Sequence, residues 1–133
     1  MYNISKLIYF ICFITLFIIP FQTICAIAIG IFNEYIIKEY IRELRPNGLG
    51  YGMPSTHMII YTIIFISLIT NNNKKYTFIN VIVFIIILLT IWYKNKIMDH
   101  DSKQILYGIL IGAICAIAIN YVVKSTYDSY MKG

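Results

Sequence analysis

The chain has 133 residues, of which 59% are hydrophobic and 13% charged, with a formal net charge of +5 and a mean hydropathy of +0.74. A soluble domain carries about 25% charged residues, so this composition excludes an ordinary water-soluble globule. The small, scattered positive charge also excludes the dense basic stripe of a nucleic-acid-binding domain.

No Asp, Glu, Lys or Arg occurs in Leu7–Asn33, Pro46–Asn73, Tyr76–Tyr93 or Gln104–Val123. A membrane-spanning helix needs about 20 mostly apolar residues, and the pattern predicts an integral membrane protein. The whole chain, 1–133, reads as one all-α domain, a polytopic transmembrane bundle of about five helices.

The first apolar run is Leu7–Phe32, "LIYFICFITLFIIPFQTICAIAIGIF". Proline inside a helix costs about 3 kcal/mol unless the chain bends or ends there. The run reads either as one long span or, as Pro20-Phe21-Gln22-Thr23 favours, as a tight reversal between a helix near 4–19 and a second near 22–45. A signal peptide with small residues near Ala26 is the competing reading, but cleavage there would cut the second helix. A third helix is expected over 56–70, ended by "NNNKK" at Asn71–Lys75, and a fourth over 77–93. A polar connection, Lys94–Lys103, leads to a fifth over 104–123 and a polar tail.

Cys12, Cys25 and Cys115 all lie inside apolar runs, in an odd number and with no metal-ligand spacing. They read as small buried hydrophobes. "ICAIAI" occurs at both Ile24–Ile29 and Ile114–Ile119, where small residues let helices approach closely.

In this layout the Arg45–His57 and Lys94–Lys103 loops are separated by two spans and emerge on one side. The other side holds Lys74, Lys75, Lys124 and Lys132 against Asp128, and the positive-inside rule makes it cytoplasmic.

Three polar clusters remain. In "KEYIRELRP", Lys38 and Arg45 are seven residues apart, two turns on a helix, with Arg42 on the same stripe. An ordinary helix end with Glu34–Lys38 and Glu39–Arg42 pairs reads the same way. In "GLGYGMPSTH", Ser55 or Thr56 is a natural N-cap. The first amides of the helix that follows form a ready anion site, with His57 in its first turn. In "YKNKIMDHDSKQ", a helical register lets Gln104 accept a hydrogen bond from His100 one turn earlier, fixing its tautomer, with Lys94 and Lys96 nearby. Asp99, His100 and Asp101 are consecutive and diverge on a helix, and His57 is the one other His or Cys on that side, so no metal site is expected; no cofactor is expected either. Together the clusters supply two histidines, several cations and a helix N-terminus. That is an inventory for phosphoryl transfer by a histidine nucleophile and a histidine acid.

The order Lys38-x6-Arg45-Pro46, then Pro54-Ser55-Thr56-His57, then Lys94-x5-His100-x3-Gln104 resembles the three-part signature of the type 2 phosphatidic acid phosphatase superfamily. "NEYIIKEYIRELRP", "YGMPSTH" and "HDSKQILYG" are most similar to its dolichyldiphosphatase branch. The resemblance spans residues 38–104. It implies a helical membrane phosphatase, without a metal cofactor, acting on a lipid substrate within the bilayer. His100 would be the nucleophile, His57 the general acid and Gln104 the orienting group. Lys38, Arg45, Ser55, the Thr56 amide and Lys94 would hold the phosphate.

The resemblance also implies an endoplasmic reticulum enzyme with a lumenal site that converts a polyprenyl (dolichyl) diphosphate to the monophosphate. Most of the superfamily has Gly at Thr56, Ser-Arg at Tyr93-Lys94 and Asp at Gln104. Gln is what the dolichyldiphosphatase branch shows. Lys94 keeps the charge of Arg without its bidentate fork. Two alternatives stay open: a phosphatase of another lipid such as phosphatidic acid, and an inactive descendant that binds lipid or a partner protein. The oligomeric state is not legible.

Overall fold

The structure is a computed structural model and describes residues 2–48, 50–70, 77–96 and 102–132, with side chains from Lys6 onward. His100, its neighbours Asp99 and Asp101, and the "NNNKK" turn lie outside the described residues.

All regular structure among the described residues is helical. We label the helices α1 (Tyr2–Thr15), α2 (Pro20–Ile41), α3 (Thr56–Thr70), α4 (Thr77–Lys96) and α5 (Ser102–Lys132). Helices α2, α4 and α5 are long and apolar enough to cross a membrane, while α1 and α3 are shorter apolar helices.

The first reversal falls at Leu16–Ile19. Pro20 opens α2 from its first turn, where the missing proline N–H would have no intrahelical partner anyway. Helix α1 thus stops at Thr15, earlier than the expected 19, and α2 starts at 20 rather than 22.

Helix α2 is not uniform. Pro20–Phe32 is α-helical, Asn33–Ile37 forms a π-helical turn and Lys38–Ile41 returns to α. The Lys38 N–H reaches back to the Asn33 carbonyl. In an α-helix, residues five apart diverge by about 140°; the wider turn puts Asn33 and Lys38 on one face. Both are buried, at 0% and 3% exposure.

The expected continuation of α2 to Arg45 is corrected. The helix ends at Ile41, and Arg42 takes a left-handed conformation (φ 57°). Its N–H donates to Lys38 O (2.8 Å) and its Nε to Glu39 O (3.0 Å). The loop beyond folds back on itself through a bridge between Leu44 and Tyr51, and Arg45-Pro46-Asn47-Gly48 makes its turn. Pro stands at the second turn position, and Gly48 (φ 77°) donates to Arg45 O at 2.8 Å.

Helix α3 is the centre of the bundle. Met58, Ile59, Tyr61, Ile63, Ile64 and Leu68 are all at most 1% exposed. A helix that is apolar all round belongs inside. At 15 residues it rises about 22 Å, less than the roughly 30 Å hydrocarbon core. The irregular loop before it lies at its end. Such backbone is tolerated at depth only where protein buries it or a cavity adjoins it, and Gly52, Met53, Pro54 and Ser55 are buried.

Helices α3 and α5 run in the same direction. Ser55 N donates to Gln104 O at 3.2 Å, and Asn120 Nδ2 donates to Ser67 Oγ at 2.9 Å. Between these ties Gly108 and Gly112 allow close approach. A Cβ on Gly108 would lie 2.7 Å from Ser55 O, and one on Gly112 would lie 2.9 Å from Ile59 O. Helix α5 has 31 residues and absorbs the segment expected to be a polar tail. It rises about 46 Å and projects beyond a hydrocarbon core. Helix α4 likewise continues to Lys96, so Lys94 is helical rather than part of a connection.

The outward faces carry Phe10, Phe13, Phe17, Phe32, Phe78 and Leu88, each at least half exposed. An apolar exterior of this extent suits lipid rather than water.

Candidate functional site

Where the ends of α2, α3 and α4 meet, a cavity of about 630 Å³ collects residues from four helices and the 42–55 loop. Its polar end holds Glu34, Lys38, Arg45, Thr56, His57 and Lys94. Its other walls are apolar and come from α1 and α2, including Ile8, Cys12, Phe13, Ile27 and Ile31.

Lys38 and Arg45 therefore meet, although not by the helical stripe the sequence suggests. Lys38 arrives from the π turn, which rotates it inward. Arg45 arrives from the folded-back loop, where its Nε donates to Tyr51 O at 3.3 Å and its N–H to Gly50 O at 3.0 Å. Arg42, the third expected cation of that stripe, does not line the cavity. The expected Glu34–Lys38 pair is present at 2.8 Å. Arg42 meets Glu39 through its backbone carbonyl.

Helix α3 begins at Thr56. Ser55 is the N-cap in the backbone sense, since its carbonyl accepts from Ile59 N at 3.1 Å. Its hydroxyl is fully buried and makes no hydrogen bond, so it does not cap the helix with its side chain. By helix geometry the amides of Thr56, His57 and Met58 lack intrahelical acceptors, which makes this end attractive to anions.

Asn33 ties α2 to this end. Its Nδ2 donates to Pro54 O (3.1 Å) and to Thr56 Oγ1 (2.8 Å). The Thr56 hydroxyl in turn donates to Glu34 Oε2 at 2.6 Å. Neither Asn33 nor Glu34 was expected at the site. Glu34 is four residues before Lys38 and shares its face on an ordinary helical wheel, whereas Asn33 is five before it, a spacing that an α-helical wheel does not unite.

His57 lies in the first turn of α3 and lines the cavity, its ring centroid 6.3 Å from that of Tyr61. Lys94, 6% exposed, enters from the last turn of α4.

Gln104 is fully buried. Its Nε2 donates to Leu44 O at 3.0 Å and to Glu43 Oε1 at 3.4 Å, and its Oε1 faces the backbone of Gly52 closely enough that a Cβ there would lie 2.6 Å away. Gln104 thus fastens both limbs of the folded-back loop to the start of α5, a bond network the i,i+4 pattern did not suggest. On the surface beside it, Lys103 pairs with Glu43 at 3.1 Å, a contact worth under about 1 kcal/mol in water.

The structure therefore brings together Lys38, Arg45, Thr56, His57 and Lys94 around one cavity, whereas Ser55 and Gln104, joined by the Ser55 N–H to Gln104 O bond, do not line it. His100, expected as the nucleophile, lies outside the described residues, five positions beyond Asn95 and two before Ser102. Cys12, Cys25 and Cys115 are free thiols.

No protein-family model matches the chain, and neither a curated protein nor a solved structure matches it.

Proposed function

We propose that this protein is a metal-independent membrane phosphatase that hydrolyses a polyprenyl diphosphate, of the dolichyl kind, to the monophosphate. The observation that carries the reading is the composition of one cavity. Lys38, Arg45 and Lys94 stand at one end with Glu34 and the N-terminus of α3, and aliphatic and aromatic side chains, mostly of α1 and α2, form the rest. That is the complement of an amphiphile with a multiply charged anionic head. The cavity would take the head and the first isoprene units, and the remaining tail would lie along the apolar exterior.

In this reading the cations and α3 amides bind the terminal phosphoryl oxygens and stabilise the charge they gain in the transition state. His100 attacks phosphorus. His57 protonates the bridging oxygen as the lipid monophosphate leaves. Water then releases phosphate from the phosphohistidine. Gln104, held by Leu44 and Glu43, would present its amide oxygen to an N–H of His100. The fold of type 2 phosphatidic acid phosphatases, endoplasmic reticulum residence and a lumenal site belong to the same proposal. They rest on the motif order at Lys38–Arg45, Pro54–His57 and Lys94–Gln104.

The test is phosphate release in detergent from dolichyl diphosphate and from phosphatidic acid, with and without a chelator. Release from the diphosphate is expected to survive chelation and to be abolished in His100→Ala and His57→Ala. Preferred release from phosphatidic acid would make the substrate another lipid. No release from either would leave a lipid- or partner-binding protein.

A further inference from the structure

The anion site is already occupied by a side chain of the protein. Glu34 Oε2 accepts from Lys38 Nζ at 2.8 Å and from Thr56 Oγ1 at 2.6 Å. Lys38 is one of the cavity's cations, and Thr56 is the first residue of α3. A carboxylate between an ammonium and the N-terminal end of a helix stands where a phosphoryl oxygen would be bound.

The arrangement is built. The Thr56 hydroxyl accepts from Asn33 Nδ2 at 2.8 Å, so its own proton is directed to Glu34. The π turn at Asn33–Ile37 presents Asn33 and Lys38 on a common face on either side of this contact. Yet the Glu34 side chain keeps 42% of its surface exposed, against 3% for Lys38. The cation is fixed in the wall, and the carboxylate has open space to swing into.

We propose that Glu34 is an internal competing anion. Its carboxylate holds Lys38 and Thr56 in the empty site and is displaced when a phosphate binds. The proposal rests on the site being a phosphate site. A tethered carboxylate competes at an effective concentration on the order of millimolar, so free phosphate must overcome it. A lipid phosphate bears the same cost but also buries its tail against α1 and α2. Glu34 thereby keeps inorganic phosphate, the product, from filling the site while the lipid still enters.

The test is direct binding of inorganic phosphate to the purified full chain in detergent, by calorimetry, for wild type, Glu34→Gln and Glu34→Asp. Removing the charge is expected to tighten phosphate binding by about ten- to a hundredfold, the scale of one charge-assisted hydrogen bond. The shorter Asp keeps the charge but cannot bridge both partners, and is expected to tighten binding by a smaller factor; it also serves if the Gln variant fails to fold. Phosphate affinity unchanged or weakened in the folded variants overturns the proposal, as does a wild-type chain and variants that bind no phosphate. Hydrolysis of the lipid diphosphate is assayed in parallel. Hydrolysis with unchanged phosphate affinity overturns this inference alone. Tightened phosphate binding without hydrolysis overturns the hydrolase reading alone.

Discussion

Lys94 is 6% exposed on the last turn of α4, in a helix otherwise free of charge until Lys96. A buried lysine is costly unless an anion or polar partners meet it, and its place on the cavity wall gives the charge a use. Replacing it by Ala is expected to lower kcat for phosphate release by about 10²-fold, the usual scale for losing one transition-state donor. Lys94→Arg, which adds a planar fork, should retain or exceed wild-type turnover. Steady-state kinetics on the two variants checks both, and equal losses in Ala and Arg would contradict the role. At this scale the sequence was informative for residue type and, beyond the Glu34–Lys38 pair, said little of partners. Lys38, Arg45, Thr56, His57 and Lys94 were legible as candidates. Glu34 was legible only as the i,i+4 partner of Lys38, and Asn33 was not legible at all, because its shared face with Lys38 depends on a π turn that no 3.6-residue periodicity announces.

The elements divide in the same way. Helix α3 was readable over its described length: Pro54-Ser55 stops the loop and Thr56 opens a mostly apolar run to Thr70. The end of α2 was not. "KEYIRELR" has good helix formers throughout, yet the chain turns left-handed at Arg42. Tertiary structure overrides propensity here: the loop beyond gains its bridge at Leu44–Tyr51 and its clamp by Gln104. Of the seam Gly108, Gly112 and Ala116, the sequence reading singled out only the small residues around Ala116, although the four-residue spacing of all three is a known route to close helix packing. At Gly112 a new Cβ would meet Ile59 backbone at 2.9 Å and Thr62 Cβ at 2.7 Å. Gly112→Val should therefore push α5 from α3 and cost about 1–3 kcal/mol, read as earlier thermal unfolding in detergent. Ile114→Val, on the exposed face (69%), should leave the transition where it is.

For the molecule as a whole, parallel α3 and α5 place the 42–55 loop and the start of α5 at one end, joined by Lys103–Glu43. Thr70 and Lys132 mark the ends of the same two helices at the other. Aromatic and cationic residues flank both ends, as membrane interfaces favour. Lys96 lies over Trp92 at 4.8 Å beside the site, and Tyr127 and Tyr130 are exposed on the far turns of α5. Single cysteines at Asn47 and Lys103, in a chain with its three native cysteines replaced by Ala, should react with an impermeant maleimide from one side of sealed vesicles. Cysteines at Thr70 and Lys132 should react from the other. Labelling of Asn47 and Lys103 from opposite sides would contradict the arrangement.

Sequence by itself determined the class, an apolar helical chain, because long charge-free runs have no alternative solvent to water but lipid. It also placed two of the polar clusters at the same end, since two apolar helices between them return the chain to the same side. Only the tertiary structure decided how the cluster is assembled. The π turn, the left-handed residue at Arg42 and the clamp by Gln104 are all local departures from regular geometry, stabilised by contacts between residues far apart in the chain. A helical wheel treats each segment alone and has no term for them. The sequence offered Lys38 both as a cation facing a ligand and as the partner of Glu34, and the structure decided that the pair forms inside the cavity.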